Sequence, residues 1–180
     1  LYTGTVDNWL DSLRVALFQV VTISSTTGFA TADTSVWPAF SIMILIYLSI
    51  QGACSGSTTG ALKVDRLWIL IQTLKAQLTK LLHPTSVVQI KVGNRRIDHD
   101  LSLSVVLFTS LFFIVIILGA IVVAGFGLDF TDALTSSISM TANVGPAFGS
   151  CGSLENYSHF SGAVKVFFSL QMFFGRLEFY

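Results

Sequence analysis

Charge is scarce in this chain. Ten Lys and Arg and ten Asp and Glu make up 11% of its 180 residues, under half of the roughly 25% usual in a soluble domain, which excludes an ordinary water-facing globule. Cysteine is nearly missing: Cys54 and Cys151 lie in distant segments, and two such residues build no disulfide framework. The histidines His83, His99 and His159 stand apart with no metal-ligand spacing around them. No enzyme activity is therefore expected, no catalytic residue is assigned, and no cofactor is expected in this chain. Leu1 is neither a start methionine nor part of a secretory leader. A last apolar run begins at Lys165 and stops with the chain at Tyr180. The chain is expected to be a fragment of a longer one.

What is present is apolar length. Hydrophobic residues are 52% of the chain, with 15 phenylalanines. No Asp, Glu, Lys, Arg or His lies between Asp33 and Lys63 or between Asp100 and Asp129, and each run exceeds the roughly 20 residues that cross a hydrocarbon core. Lipid is the expected surrounding. Seven of the ten basic residues (Lys63, Arg66, Lys75, Lys80, Lys91, Arg95, Arg96) sit between those runs, against Asp65, Asp98 and Asp100. That excess marks the segment as cytoplasmic. It carries no nucleic-acid-binding signature, so nucleic acid is not an expected partner. Residues 1–33 and 125–160, with Asp7, Asp11, Asp33, Asp129, Asp132 and Glu155, then face outward.

Between the runs the order is unusual. Trp9 to Ser24, "WLDSLRVALFQVVTIS", is apolar but too short to span, and reads as a re-entrant helix. "SSTTGFATAD" follows, then a span from about Val36 that turns abruptly into "GACSGSTTGALK". His83-Pro84 marks a break, Leu101 to Ala124 reads as an apolar helix, and "FTDALTSSISMTANVGPAFG" restates the first layout of acid, short helix and small-residue loop. A shift of 117 residues places Ala16 on Ala133, Leu17 on Leu134, Thr22 on Ser139 and Gly28 on Gly145. This is a weak internal repeat of the kind from which membrane pores and carriers are built.

Backbone polar groups cannot be left bare in lipid, so a non-helical loop at membrane depth must be buried in protein or line a watery path. "STTGFA" and "NVGPAFG" are such loops if the helices before them are re-entrant. Glycine can turn neighbouring carbonyls toward an axis, and each short helix directs a partial negative charge at the same place. Carbonyls replace the hydration shell of a cation. A single polar turn is the plainer reading of one copy; two copies in register favour an ion-coordinating filter.

The stretch Gly52 to Gly60 has three glycines and four Ser or Thr residues, which no intact helix accommodates easily. It lacks the GK[ST] ending of a phosphate loop. A thiol nucleophile at Cys54 would need a base, and no histidine is near it in sequence. Packing by small residues is the structural alternative.

"FQVVTISSTTGFATAD", "GACSGSTTGALKVDR", "TANVGPAFG" and "MFFGRLEF" together resemble the TrkH/KtrB family of potassium-translocating membrane subunits, closest to TrkH-like members, in its third and fourth pore repeats. The resemblance implies an all-α membrane protein built of helix/pore-loop/helix repeats, of which this chain holds about half of four. It divides the chain into residues 1–62 (pore helix, filter loop and broken inner helix), 63–100 (cytoplasmic linker) and 101–180 (outer helix, pore helix, filter loop and start of the inner helix). It implies a potassium filter at Gly28 and Gly145 with Thr26, Thr27, Phe29, Asn143, Val144 and Pro146 beside them. Gly52, Cys54, Gly56, Ser57, Thr58, Thr59 and Gly60 become a gating loop. Arg176, eleven residues beyond Lys165 and so about 16 Å along a helix, becomes a pore charge below the filter.

The same resemblance implies a multi-pass protein of the bacterial inner membrane and a homodimer. Its regulatory partner would be a cytosolic nucleotide-binding subunit, with NAD or ATP expected only there. An alternating-access carrier coupled to sodium or protons is the other reading. Two departures from the family pattern stand out: Ala61 and Ala147 occupy positions where glycine is common.

Overall fold

A computed structural model describes residues 9–54, 56–83, 91–92 and 95–177. Its elements are α1 (Trp9–Ser24), α2 (Ala39–Ile50), α3 (Val64–Leu82), β1 (Lys91–Val92), β2 (Arg95–Arg96), α4 (His99–Gly125), α5 (Phe130–Ala142) and α6 (Gly162–Arg176). The fold is helical almost throughout, as expected. The basic segment contains a small antiparallel hairpin pairing Lys91 with Arg96 and Val92 with Arg95.

The longest helix, α4, shows why the chain belongs in lipid. Its buried positions are Ser102, Val105, Thr109, Phe112, Ile116, Gly119 and Val123, spaced alternately by three and four residues as a single packing seam requires. Around the rest of the helix, Leu103, Leu107, Leu111, Ile114, Leu118 and Ile121 are exposed. A water-facing helix would be polar there; this one is apolar all round. Asp100–Gly125 is the one described helix long and apolar enough to cross a membrane.

Onto that seam packs α5, ten of whose thirteen residues are buried. Small residues permit the approach, and polar side chains secure it. The Ser137 hydroxyl donates to the Ile116 carbonyl at 2.7 Å. Gln171 of α6, 3% exposed, donates from Nε2 to Ser137 Oγ at 2.6 Å and to Thr141 Oγ1 at 2.8 Å. Three helices thus share one buried polar knot, with Gly119 leaving room for it.

The apolar run after Val36 does not cross in one piece. Helix α2 ends at Ile50, and residues 51–62 form a loop closed at its neck: Leu62 N donates to the Ile50 carbonyl at 3.0 Å, and Gly52 N to the Leu62 carbonyl at 2.9 Å. A Cβ at Gly52 would stand 3.0 Å from that of Ala61. Helix α3 then returns along α4 with Ile69, Thr73 and Ala76 buried. Arg66 stacks its guanidinium 4.0 Å from the Phe108 ring centroid, about 12 Å along α4 from Asp100. The first part of the segment 63–100 therefore runs beside the apolar helix and is regular, not a loose connection.

Candidate functional site

The two short helices end in the same way. Thr26 and Asn143 are the two described non-glycine residues with positive φ, 52° and 57°, and each is followed two residues later by a glycine with positive φ: Gly28 at 79° and Gly145 at 104°. Thr26 N donates to Ile23 at 3.0 Å and Thr27 N to Thr22 at 2.9 Å; Asn143 N donates to Met140 at 3.1 Å and Val144 N to Ser139 at 3.0 Å. These paired bonds are the Schellman ending, which turns a chain sharply out of a helix through one left-handed residue. Every matching atom is offset by 117 residues, so the repeat expected from three identities and one Thr/Ser match extends to backbone angles and hydrogen bonds. Asn accepts the left-handed region readily; a β-branched Thr there costs about 1–3 kcal/mol.

The loops touch each other. A Cβ on Gly28 would collide with the Val144 carbonyl oxygen and lie 3.3 Å from Pro146 Cδ. Among the described residues, no donor reaches the carbonyls of Thr26, Thr27, Gly28, Asn143 or Val144. Such acceptors normally find partners; here they cluster at two helix C-termini, which adds partial negative charge. The arrangement suits a dehydrated cation. The next two carbonyls are held by side chains instead: Tyr157 Oη donates to Gly145 at 2.7 Å and Ser139 Oγ to Pro146 at 2.6 Å. Thr135 Oγ1 braces the backbone of Phe148 at 2.9 Å.

Loop 51–62 packs against the same place. A Cβ on Gly60 would lie 3.0 Å from the Ala142 carbonyl and 3.0 Å from the Asn143 side chain. Asn143 Nδ2 donates to Met172 of α6 at 3.2 Å, so one residue of the loop after α5 touches both loop 51–62 and α6. Inside loop 51–62, Ser57 Oγ donates to the Cys54 carbonyl at 2.7 Å and meets Thr59 Oγ1 at 2.5 Å. Cys54, Gly56 and Thr58 are exposed. Arg176 Nη1 donates to the Thr58 carbonyl, bringing together two residues 118 apart in the chain. Glu178, two residues beyond Arg176, lies outside the described residues. Phe29 is 71% exposed and makes no part of the loop-to-loop contact, while Ala147 is buried behind the second loop.

Several supporting residues carried no readable signal. Ser153 Oγ accepts from Thr34 N at 3.0 Å and donates to the Ala32 carbonyl at 2.9 Å, stapling the outer segments of the two repeats. Asp132 is only 9% exposed. Its carboxylate accepts from Ser150 N at 3.0 Å and from the Ser150 hydroxyl. His159 is not isolated after all: Nε2 lies 3.9 Å from Cys151 Sγ. Burial pushes the Cys151 thiol up to about 11 and raises the Tyr157 phenol above its usual range. Hydrogen bonds from Ser35 lower the Asp33 carboxyl. Both cysteines are free, and the described residues contain no group of three His, Cys, Asp or Glu side chains that could hold a metal.

Two short helices ending in matching glycine turns that touch each other, beside a helix long and apolar enough to cross a membrane, define the fold of a membrane protein with paired half-length helices. Residues 7–180 match the family model TrkH, described as cation transport protein, and the chain belongs to that family. It is 36% identical over 168 residues to the Trk system potassium uptake protein TrkI of Halomonas elongata, covering 93% of this chain and 34% of that protein. It is 34% identical over 172 residues to Trk system potassium uptake protein TrkH of Salmonella typhimurium, with 96% and 35% covered. The crystal structure of the potassium transporter TrkH from Vibrio parahaemolyticus superposes with a TM-score of 0.88 at 30% identity, covering 99% of this chain and 38% of that one. The chain thus spans about a third of the length of the curated relatives it matches.

Proposed function

We propose that this chain forms part of a pore that translocates potassium, with the loops at Gly28 and Gly145 as two segments of its selectivity filter. One observation carries the reading: the duplicated Schellman endings leave the carbonyls of Thr26, Thr27, Gly28, Asn143 and Val144 without donors among the described residues, where the loops after two helix C-termini touch. Potassium as the ion is supported by glycine at both loops and by relatives named as potassium uptake proteins. Phe29, Gly145 and Pro146 complete the filter set, with the last two shaping it through carbonyls bonded from behind. Loop 51–62, with Gly52, Cys54, Gly56, Ser57, Thr58, Thr59 and Gly60, is the gate, and Arg176 holds it closed through Thr58 while repelling cations.

The protein is multi-pass in the bacterial inner membrane and has no enzymatic role. It works as a homodimer, and the basic segment 63–100 receives a cytosolic subunit that binds NAD or ATP. Potassium and sodium competition in a flux assay tests the central claim, in a chain of the relatives' length. Gly28→Ser must lower the preference for potassium; unchanged competition ends the filter reading. An alternating-access carrier coupled to sodium or protons shares the repeats and broken helices. Single-channel currents reject the carrier; their absence with intact flux favours it.

A further inference from the structure

We propose that Tyr157 is a specificity-determining positioning residue, which sets the shape of the filter by gripping the Gly145 carbonyl from outside; this rests on the filter reading above. The bond is long in sequence and short in space: Tyr157 Oη donates to Gly145 across twelve residues at 2.7 Å. Gly145 has φ 104°, and a Cβ built on it would meet nothing within 4 Å. The Cβ side of this glycine is open, and the side-chain contact that restrains its peptide is the hydrogen bond to its carbonyl. Because Pro146 follows, the Gly145–Pro146 peptide has no N–H that could secure it from the other side. Tyr157 and Ser139, which donates to the Pro146 carbonyl at 2.6 Å, then fix two successive peptide planes. Val144, whose carbonyl faces Gly28, is the residue immediately before them.

The tyrosine is itself held rigidly. Its ring makes edge contacts with Phe160 and Phe168, at centroid separations of 5.7 and 5.9 Å, and both phenylalanines are buried. Phe168 lies on α6 and Phe160 just before it, so the hydroxyl is carried by the inner helix and its entry. Burial raises the phenol's ionisation above its usual range, so the group remains a donor at physiological pH. Among the described residues, no donor performs this service for Gly28. The second loop is the braced one.

The test is Tyr157→Phe, which keeps the ring and removes the donor, with potassium and sodium competition measured in reconstituted protein of the relatives' length. Discrimination should fall by about three- to tenfold, the range spanned by loss of one ordinary hydrogen bond, while cation flux persists. A purely structural role predicts lower flux for both ions with their ratio unchanged, and that result overturns the proposal. Gly145→Ser is run in parallel. If it too leaves the ratio unchanged, the filter reading fails; if it alters the ratio and Tyr157→Phe does not, Tyr157 alone is refuted. Should Tyr157→Phe not assemble, Phe160→Leu loosens the ring and keeps the hydroxyl. It must then reduce discrimination to a smaller extent, and an unaltered ratio there rejects the proposal.

Discussion

Gly28 and Val144 meet backbone to backbone, with the Val144 carbonyl oxygen occupying the space that a Cβ on Gly28 would need. Gly145 has the same kind of backbone angle but open space around it. Two glycines at corresponding positions are thus required for different reasons. Gly28→Ala must displace the carbonyl that faces it, while Gly145→Ala adds only left-handed strain of about 1–2 kcal/mol. Potassium over sodium selectivity should fall further for Gly28→Ala than for Gly145→Ala in flux competition. Equal effects would mean that the loops separate in the working pore.

Arg176 and Thr58 form the contact between α6 and loop 51–62. Arg176→Ala should raise potassium flux and weaken regulation, because it removes both the bond and the positive charge. Arg176→Lys retains the charge but not the forked donor, so its flux should fall between the two. Radioactive rubidium uptake by reconstituted protein checks the order; unchanged flux in the alanine variant would make Arg176 an interfacial anchor.

Deletion of Gly56 to Gly60 leaves the neck bonds of Gly52 and Leu62 in place while removing the part that packs on Ala142 and Asn143. Basal flux should increase. Lower flux at normal expression would point to a packing role for the loop.

Gly119 borders the buried knot of Ser137 and Gln171, where any Cβ would collide with both side chains. Gly119→Ala should destabilise the fold by about 1–3 kcal/mol, the usual cost of overpacking. A lowered thermal midpoint in detergent, with ion selectivity preserved, is the expected pattern.

Cys151 is buried, and its thiol is raised to about 11, whereas Cys54 is exposed. Alkylation requires thiolate, and the upward shift keeps Cys151 protonated through neutral pH. A maleimide at pH 7 should label Cys54 alone, as read by mass spectrometry of the peptides. Labelling of Cys151 should begin only as pH approaches 11 or the protein unfolds.

Much of the fold was legible because it is encoded locally. The helix Trp9–Ser24 follows directly from an apolar run preceded by Asp7 and Asn8 and followed by Ser25 and Thr26, and the break after Ile50 follows from glycines that no helix tolerates in such number. The 117-residue shift was readable from a few identities, since both copies need small or hydroxylated residues at the same turns. Arg176 stood out because a charge inside an apolar helix is costly. The roles of Tyr157, Ser153 and Gln171 were not legible. Tyrosine, serine and glutamine in a polar loop or apolar helix have many uses, and only their partners' positions distinguish them.

The sequence by itself determined that this protein lives in lipid, that its backbone must leave the helix at Gly28, Gly52–Gly60 and Gly145, and that the first and third of these turns are copies. Those properties depend on composition, period and the conformational range of single residues, all set within about twenty positions. Tertiary structure alone decided that Val144 faces Gly28, that Asn143 touches both loop 51–62 and α6, and that the Gly145 carbonyl is gripped while the Gly28 carbonyl is not. Those outcomes depend on which segments meet in space, and hydrogen bonding acts over about 3 Å whatever the separation along the chain.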